Sequence, residues 1–514
     1  MKIPHSKILI IDFGSQYTQL IARKIRENSV YCEIYPVTSS IKKIKYFEPD
    51  AIILSGGPSS VYDNGAPFIS KEVLEINVPF LGICYGMQVM AYLMGGTVKP
   101  ANNREYGHSN LDILKKTKLF KGCKKLSPIW MSHGDIIVKA PDNFIVTSRT
   151  ENCDTASFEN REKKMYGLQF HPEVAHTVYG NKILNNFLFD IAGVEKDWKL
   201  DDFISGKVLD IAGLTAGKKA ICALSGGVDS TVAAVIANKA VRKGLKCIFV
   251  DNGLLRDSEA KSVMKYYREN LDLNVKLVKA SGLFLKALKG VVNPERKRKI
   301  IGRLFVQIFE EEAKKMNGVD FLVQGTLYPD VIESVKIFGS SSVIKSHHNV
   351  GGLPKKLGLK LIEPLRELFK DEVRIIGKNL GIPDEIIKRQ PFPGPGLAIR
   401  IIGEINRKGL GILRKADAIV TEEIKNAGLY DKIWQSFPVL IPIKTVGVMG
   451  DERSYESLIA LRAVSSSDGM TADFVELDYN ILRTCAARII SEIKGINRVV
   501  YDITSKPPST IEWE

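Results

Sequence analysis

The sequence predicts two successive α/β domains with mostly parallel sheets, followed by a small α+β domain at the C-terminal end. Three observations lead there. The chain has 514 residues, too many for one hydrophobic core. Two long stretches, residues 1–195 and 196–390, alternate short apolar runs with helical periodicity. After the segment Pro391-Phe392-Pro393-Gly394-Pro395-Gly396 the pattern changes, and residues 391–514 read as helices with short paired strands. A hydrophobic content of 45% with 25% charged residues places all three regions among ordinary globular domains.

In the first region, Lys7–Ile11, Ala51–Leu54 and Pro79–Ile83 read as buried parallel strands, and Gln19–Asn28 as a helix. Sites in such sheets lie at the carboxyl ends of the strands. One strand ends in Gly82-Ile83-Cys84-Tyr85-Gly86, the glycine-x-nucleophile-x-glycine pattern of a strand–turn–helix elbow with cysteine as nucleophile. The glycines permit the strained turn, and the following helix favours the thiolate. Backbone N–H groups near Gly57 and Tyr85 are candidates for an oxyanion hole. A lone cysteine is more often structural. Far downstream, Tyr166-Gly-Leu-Gln-Phe-His171-Pro-Glu173 places a histidine at a strand end with a carboxylate two residues on. Nucleophile, base and orienter together read as a Cys84–His171–Glu173 triad.

The second region opens with the strand Ala220–Leu224, the loop Ser225-Gly226-Gly227-Val228-Asp229-Ser230, and a helix beginning near Thr231. Strand, glycine turn and helix aim backbone N–H groups at an anion, and Ser225, Ser230 and Thr231 can add hydroxyls. The Gly-Lys-Ser/Thr ending of a Walker A loop is absent. Further strands are expected at Lys246–Val250, Val275–Val278 and Phe321–Gln324, with a long helix from Pro294 to about Lys315. Asp330 and Glu333 share a helix face. That spacing fits Mg²⁺ ligands or a solvated face equally well. Ile344–Pro354, with Lys345 and the pair Gly351-Gly352, reads as a cationic lid rather than a zinc site, since adjacent histidines point apart. In the third region, Leu413–Ala427 and Asp478–Lys494 read as helices, and Val439–Ile443 and Thr445–Val448 as strands. The segment ending Ile511-Glu512-Trp513-Glu514 is apolar enough to be packed rather than frayed.

The net charge of +15 admits a nucleic-acid reading, but the basic residues are scattered and no aromatic-interleaved basic stripe occurs. Anionic small-molecule substrates are the expectation, with no nucleic acid and no membrane among the partners. The seven cysteines are dispersed and unpaired in sequence, which fits a reducing compartment. No apolar run reaches the ~20 residues of a membrane span, and no signal peptide is legible. A cytoplasmic location is expected.

Gly82–Gln88 and His171–Glu173 resemble the signature strings of the class I glutamine amidotransferases, with Ser132–Asp135 similar to a loop bordering that site. Ser225–Ser230 resembles the pyrophosphate-binding loop of the N-type ATP pyrophosphatases. Chains that join the two, ending in blocks similar to Gln390–Gly396, Gly450–Arg453 and Lys506–Glu514, form an AMP-forming amidotransferase family acting on a purine nucleotide; Ser509 stands where alanine is expected. The resemblance covers essentially the whole chain. It implies that Gln88 binds glutamine and that Ser225–Thr231 hold ATP with Mg²⁺, without an organic cofactor. It also implies that xanthosine monophosphate (XMP) is aminated through an adenylated intermediate. It places Arg298, Arg498 and Lys506 at the XMP phosphate, and Gln435, Ile511 and Glu512 near the base. It further implies that Asp330 and Glu333 serve Mg²⁺, that Lys345 belongs to the lid, and that residues 391–514 form a homodimer interface.

Overall fold

The computed structural model describes residues 6–316, 318–334, 358–449, 452–466, 469 and 471–514. They fall into two compact units, residues 6–203 with 331–334, and residues 204–330 with 358 onward.

The first unit is built on a nine-stranded sheet. Its strands in chain order are β1 Lys7–Asp12, β2 Tyr31–Pro36, β3 Ala51–Leu54, β4 Phe80–Ile83, β5 Thr97–Ile113, β6 Leu126–Lys139, β7 Ile145–Arg149, β8 Ser157–Asn160 and β9 Met165–Leu168. Their spatial order is β2-β1-β3-β4-β9-β8-β7-β5-β6. The first five in that order pair in parallel and are apolar almost throughout, as strands covered on both faces must be. The remainder is antiparallel, and β6 alternates buried and exposed residues with period two. Helix Thr18–Glu27 buries Ile21, Ala22 and Ile25 and ends with Lys24 and Arg26 in its last turn, where cations suit the helix dipole. One pairing positions the chemistry: β4 runs beside β9 with Ile83 opposite Leu168. Residues just past those two strand ends, Cys84 and His171, are thereby brought to one edge.

The second unit contains two sheets. β10 Lys219–Leu224, β11 Leu245–Asp251, β12 Val275–Lys279, β13 Val319–Val323 and β14 Lys360–Ile362 form a wholly parallel sheet in the order β12-β11-β10-β13-β14. The central strand β10 feeds the glycine loop. The other sheet is formed by β15 Gln435–Met449, β16 Glu452–Ser465, β17 Asp473–Phe474 and β18 Ile496–Tyr501, with β15 and β17 antiparallel and β18 parallel to β16. The two short strands expected at Val439–Ile443 and Thr445–Val448 are one long strand, interrupted by a register shift between Ile441 and Thr445. Pro442, which has no N–H to give the ladder, sits in that interruption. The segments expected to form a second and third domain share this unit. Its core is continuous from Ile221 and Ile248 through Leu397 and Leu413 to Ile459 and Ile489.

Candidate functional site

The elbow is set by steric limits on each side of Cys84. Cys84 has φ +50° and ψ −111°, a left-handed backbone that few residues with a Cβ adopt. Its N–H donates to Leu168 O at 2.7 Å, and Gly86 N–H donates to Ser55 O at 2.9 Å. A Cβ on Gly86 would lie 2.3 Å from Leu54 O, and one on Gly82 would lie 2.7 Å from Met87 N. Both glycines are therefore required by backbone crossing. Helix Tyr85–Leu93 starts directly behind the sulfur. The N–H groups of Gly57 and Tyr85 have no acceptor among the described residues, so both are free to bind an oxyanion.

His171 and Glu173 are buried beside Cys84. His171 Nδ1 lies 2.7 Å from Glu173 Oε1, which fixes the ring, while Thr177 holds the His171 carbonyl at 2.6 Å. Burial alone would push the imidazole down; the Glu173 charge, with hydrogen bonds to Cys84 and Glu173, outweighs it, so His171 titrates well above its ordinary value. This raised value makes the proton on His171 stabilising below pH ~6.5, and that contribution is lost as pH rises through the folded-state value. Glu173→Gln removes the charge and leaves burial. We expect the His171 NMR titration to move to lower pH in that variant. A transition that stays in place would show that Glu173 does not set it.

Gln88, also buried, donates to Asp135 O at 3.0 Å and to Gln169 Oε1 at 3.2 Å. Gln169, which sequence reasoning missed, reaches Cys84 Sγ at 3.7 Å. The signal was there: Gln169 and His171 are two apart in an extended run and share a face. In the Ser132–Asp135 loop, Asp135 accepts from Ser60 Oγ at 2.5 Å and from the Tyr62 hydroxyl, leaving a buried carboxylate beside Gln88. His133 faces away, paired with Glu105 Oε2 at 3.2 Å.

In the second unit, Ser225–Gly227 turn into helix Val228–Val241 with Gly226 at φ +79°. Ser225 and Ser230 brace the turn through their hydroxyls, 3.0 Å apart, and Ser225 N–H donates to Ser230 Oγ at 3.1 Å. Thr231 is fully buried and spends its hydroxyl on Gly227 O at 2.8 Å and Tyr267 at 3.0 Å, so it supports the loop from beneath. Asp229 Oδ2 accepts from Lys370 at 3.2 Å, while Oδ1 is buried with no partner among the described residues. A Cβ on Gly325 would lie 3.0 Å from the Asp229 carbonyl carbon, so that glycine lets the end of β13 approach the loop. Asp330 gives Oδ2 to the Leu327 N–H at 2.9 Å, as a helix-start residue does. The Glu333 side chain and Lys345 lie outside the described residues, as does most of the segment read as a lid. Among the described residues no cluster of three or more His, Cys, Asp or Glu could enclose a metal. The donor set therefore fits a cation that arrives on a phosphate better than a resident ion, with Asp229 Oδ1 as the available oxygen.

The final segment is packed, as its apolar residues suggested. Glu512 takes a two-point ion pair from the buried Arg400, at 3.1 and 2.9 Å, and a hydrogen bond from Gln435 at 2.6 Å. Arg298 donates to the Glu514 carbonyl, Lys297 binds its carboxylate, and Ile511 packs on Phe437, Val439 and Ala460. Arg298, Gln435, Ile511 and Glu512 are thus held by one short tail. Lys506 instead donates to Gly469 O at 2.7 Å, and the exposed Arg498 reaches only toward Val446 O at 3.4 Å. Arg400, Lys297 and Lys370 were not singled out from sequence, because nothing local distinguishes a buried cation from a surface one.

Comparison with known proteins accords with this geometry. The model of class I glutamine amidotransferases matches residues 9–191, which contain the elbow and the histidine–glutamate pair. The model of the GMP synthase C-terminal domain matches residues 422–513. The first unit is thus a class I glutamine amidotransferase. Over the full length, the chain is 56% identical to a glutamine-hydrolysing GMP synthase of Brachyspira hyodysenteriae, across 99% of each. It is also 56% identical to those of Caldanaerobacter subterraneus, over 100% of both chains, and Aquifex aeolicus, over 99% of each. The chain belongs to the glutamine-hydrolysing GMP synthases and is a glutamine-dependent ligase that makes GMP.

Proposed function

We propose that residues 1–195 release ammonia from glutamine, that residues 196–390 activate XMP with MgATP, and that residues 391–514 complete the XMP site. The observation that carries the first part is the strained Cys84 set against a buried imidazole–carboxylate pair. Cys84 Sγ attacks the glutamine side-chain amide, the oxyanion is met by the Gly57 and Tyr85 N–H groups, and Gln88 helps hold the substrate. His171 hands its proton to the departing ammonia, and water then cleaves the thioester to glutamate.

In the second unit, Ser225–Ser230 cradle the β- and γ-phosphates of MgATP, with Asp229 as a further oxygen donor and Lys345 as lid cation. The XMP C2 oxygen attacks the α-phosphorus and pyrophosphate leaves. Ammonia then attacks C2, AMP departs, and GMP remains. Glu512, kept ionised and oriented by Arg400, faces the base with Gln435 and Ile511, while Arg298, Lys506 and Arg498 serve the phosphate. We retain Asp330 and Glu333 as outer Mg²⁺ contacts only. The test is pyrophosphate release from MgATP. We expect it to require XMP and to proceed with glutamine or ammonium; release driven equally by a carboxylate substrate would overturn the assignment.

A homodimer through residues 391–514 is supported by exposed apolar residues on β15 and β16. Val446 faces Tyr455 across the ladder, and both are more than half exposed, as is Val448. Sedimentation should show a dimer that Val446→Asp dissociates; a wild-type monomer at micromolar concentration would exclude it. Among the described residues no helix is long and apolar enough to cross a membrane. We place the protein in the cytoplasm, with small molecules and its own copy as partners.

A further inference from the structure

Arg389 has no role in the site as built above, yet it reaches the middle of the glycine loop. Its NH1 group donates to Gly226 O at 2.9 Å, and its NH2 group donates to Glu259 Oε1. The second oxygen of Glu259 accepts from Arg256 N–H at 2.8 Å, which caps the start of helix Glu259–Glu269. The guanidinium is mostly buried and Glu259 almost wholly so. It lies against the loop backbone, since a Cβ on Gly226 would be 3.2 Å from NH1. The backbone carrying Arg389 is itself pinned. The side chain of its neighbour Gln390 donates to Tyr430 O at 3.1 Å and Ile433 O at 3.3 Å and accepts from Ser436 N–H at 2.8 Å.

A cradle of backbone N–H groups binds an anion only if the carbonyls of the same loop point elsewhere. Ser225 and Ser230 brace the two ends of this loop. The structure assigns to Arg389 the bracing of its middle: we propose that it is a positioning residue, which draws the Gly226 carbonyl out of the cradle so that the N–H groups beyond it converge on the ATP polyphosphate. This rests on the reading of Ser225–Ser230 as the ATP site. The fork of the guanidinium suits a role in which one side chain binds a carbonyl and a carboxylate at once, which an ammonium does less well. Glu259 neutralises the charge, so Arg389 acts through geometry rather than as a phosphate ligand.

The experiment measures ammonium-dependent pyrophosphate release for Arg389→Gln, Arg389→Lys, Glu259→Gln and Ser230→Ala, with MgATP and XMP varied separately. Arg389→Gln should raise the KM for MgATP about tenfold or more, the loss of one charge-assisted hydrogen bond. The KM for XMP should stay within about twofold, and Arg389→Lys should recover part of the effect. Glu259→Gln, which leaves the cation but loosens its anchor, should also weaken MgATP. Tighter MgATP binding in Glu259→Gln would mean that Arg389 contacts phosphate directly, and would overturn the positioning role. So would an Arg389→Gln enzyme that loses only kcat, as an enzyme with a smaller folded fraction does. If Ser230→Ala impairs MgATP binding and Arg389→Gln does not, this inference alone fails. If neither does, the ATP-site reading fails with it.

Discussion

Cys84→Ala abolishes GMP formation from glutamine and leaves GMP formation from ammonium at the wild-type level. No other group within reach of the amide can replace the sulfur, so the glutamine-dependent rate should fall by about 10⁴-fold or more, as for loss of a covalent nucleophile elsewhere. The structural cost is small. Alanine and cysteine both carry a Cβ, so the left-handed turn at φ +50° is equally strained in each. Only the long sulfur contacts to Ser132 O at 3.6 Å and Gln169 at 3.7 Å are lost. The measurement is initial-rate GMP formation with each nitrogen source at saturating MgATP and XMP. Retained glutamine-dependent turnover would show Cys84 to be a packed structural thiol. Loss of both activities would show that the substitution acts on the synthetase reaction as well.

Asp229→Asn removes pyrophosphate release with either nitrogen source, by about 10²–10³-fold, the scale of one lost electrostatic contact in a dry site. An acid in the first turn of a helix that faces polyphosphate is repulsive unless cations cover it. Lys370 covers Oδ2, and Oδ1 is buried and unpartnered. The remaining cation is the one that accompanies ATP. Asparagine keeps the shape and the helix start, so the substitution tests charge alone. A Mg²⁺ titration of activity separates the outcomes. We expect the variant to need far more Mg²⁺; a wild-type titration curve would reduce Asp229 to a helix-start residue.

Much of both sites was legible because their chemistry is written in contiguous strings at strand ends. Gly82–Gln88 and Ser225–Thr231 each contain the glycines their turns require, and crossing backbone explains those glycines, as at Gly86 against Leu54. Long-range placement was less legible. The antiparallel half of the nine-stranded sheet carries period-two patterning in β6, yet its pairing with β5 rests on contacts distant in sequence. The second and third regions looked separable at the proline-rich segment near residue 390. The apolar faces on either side of that segment nevertheless pack into one core.

The sequence by itself determined the reactive groups: a cysteine elbow, a histidine with its carboxylate, and a phosphate-type loop, because each depends on local backbone geometry and on residues within a few positions of one another. Only the tertiary structure decided their partners. Parallel pairing of β4 with β9 places Cys84 beside a histidine 87 positions away. Burial turns Arg400, Arg389 and Lys297 from ordinary basic residues into fixed donors. A cation removed from water must meet acceptors, and the fold alone determines that those acceptors are Glu512, the Gly226 carbonyl and Glu514.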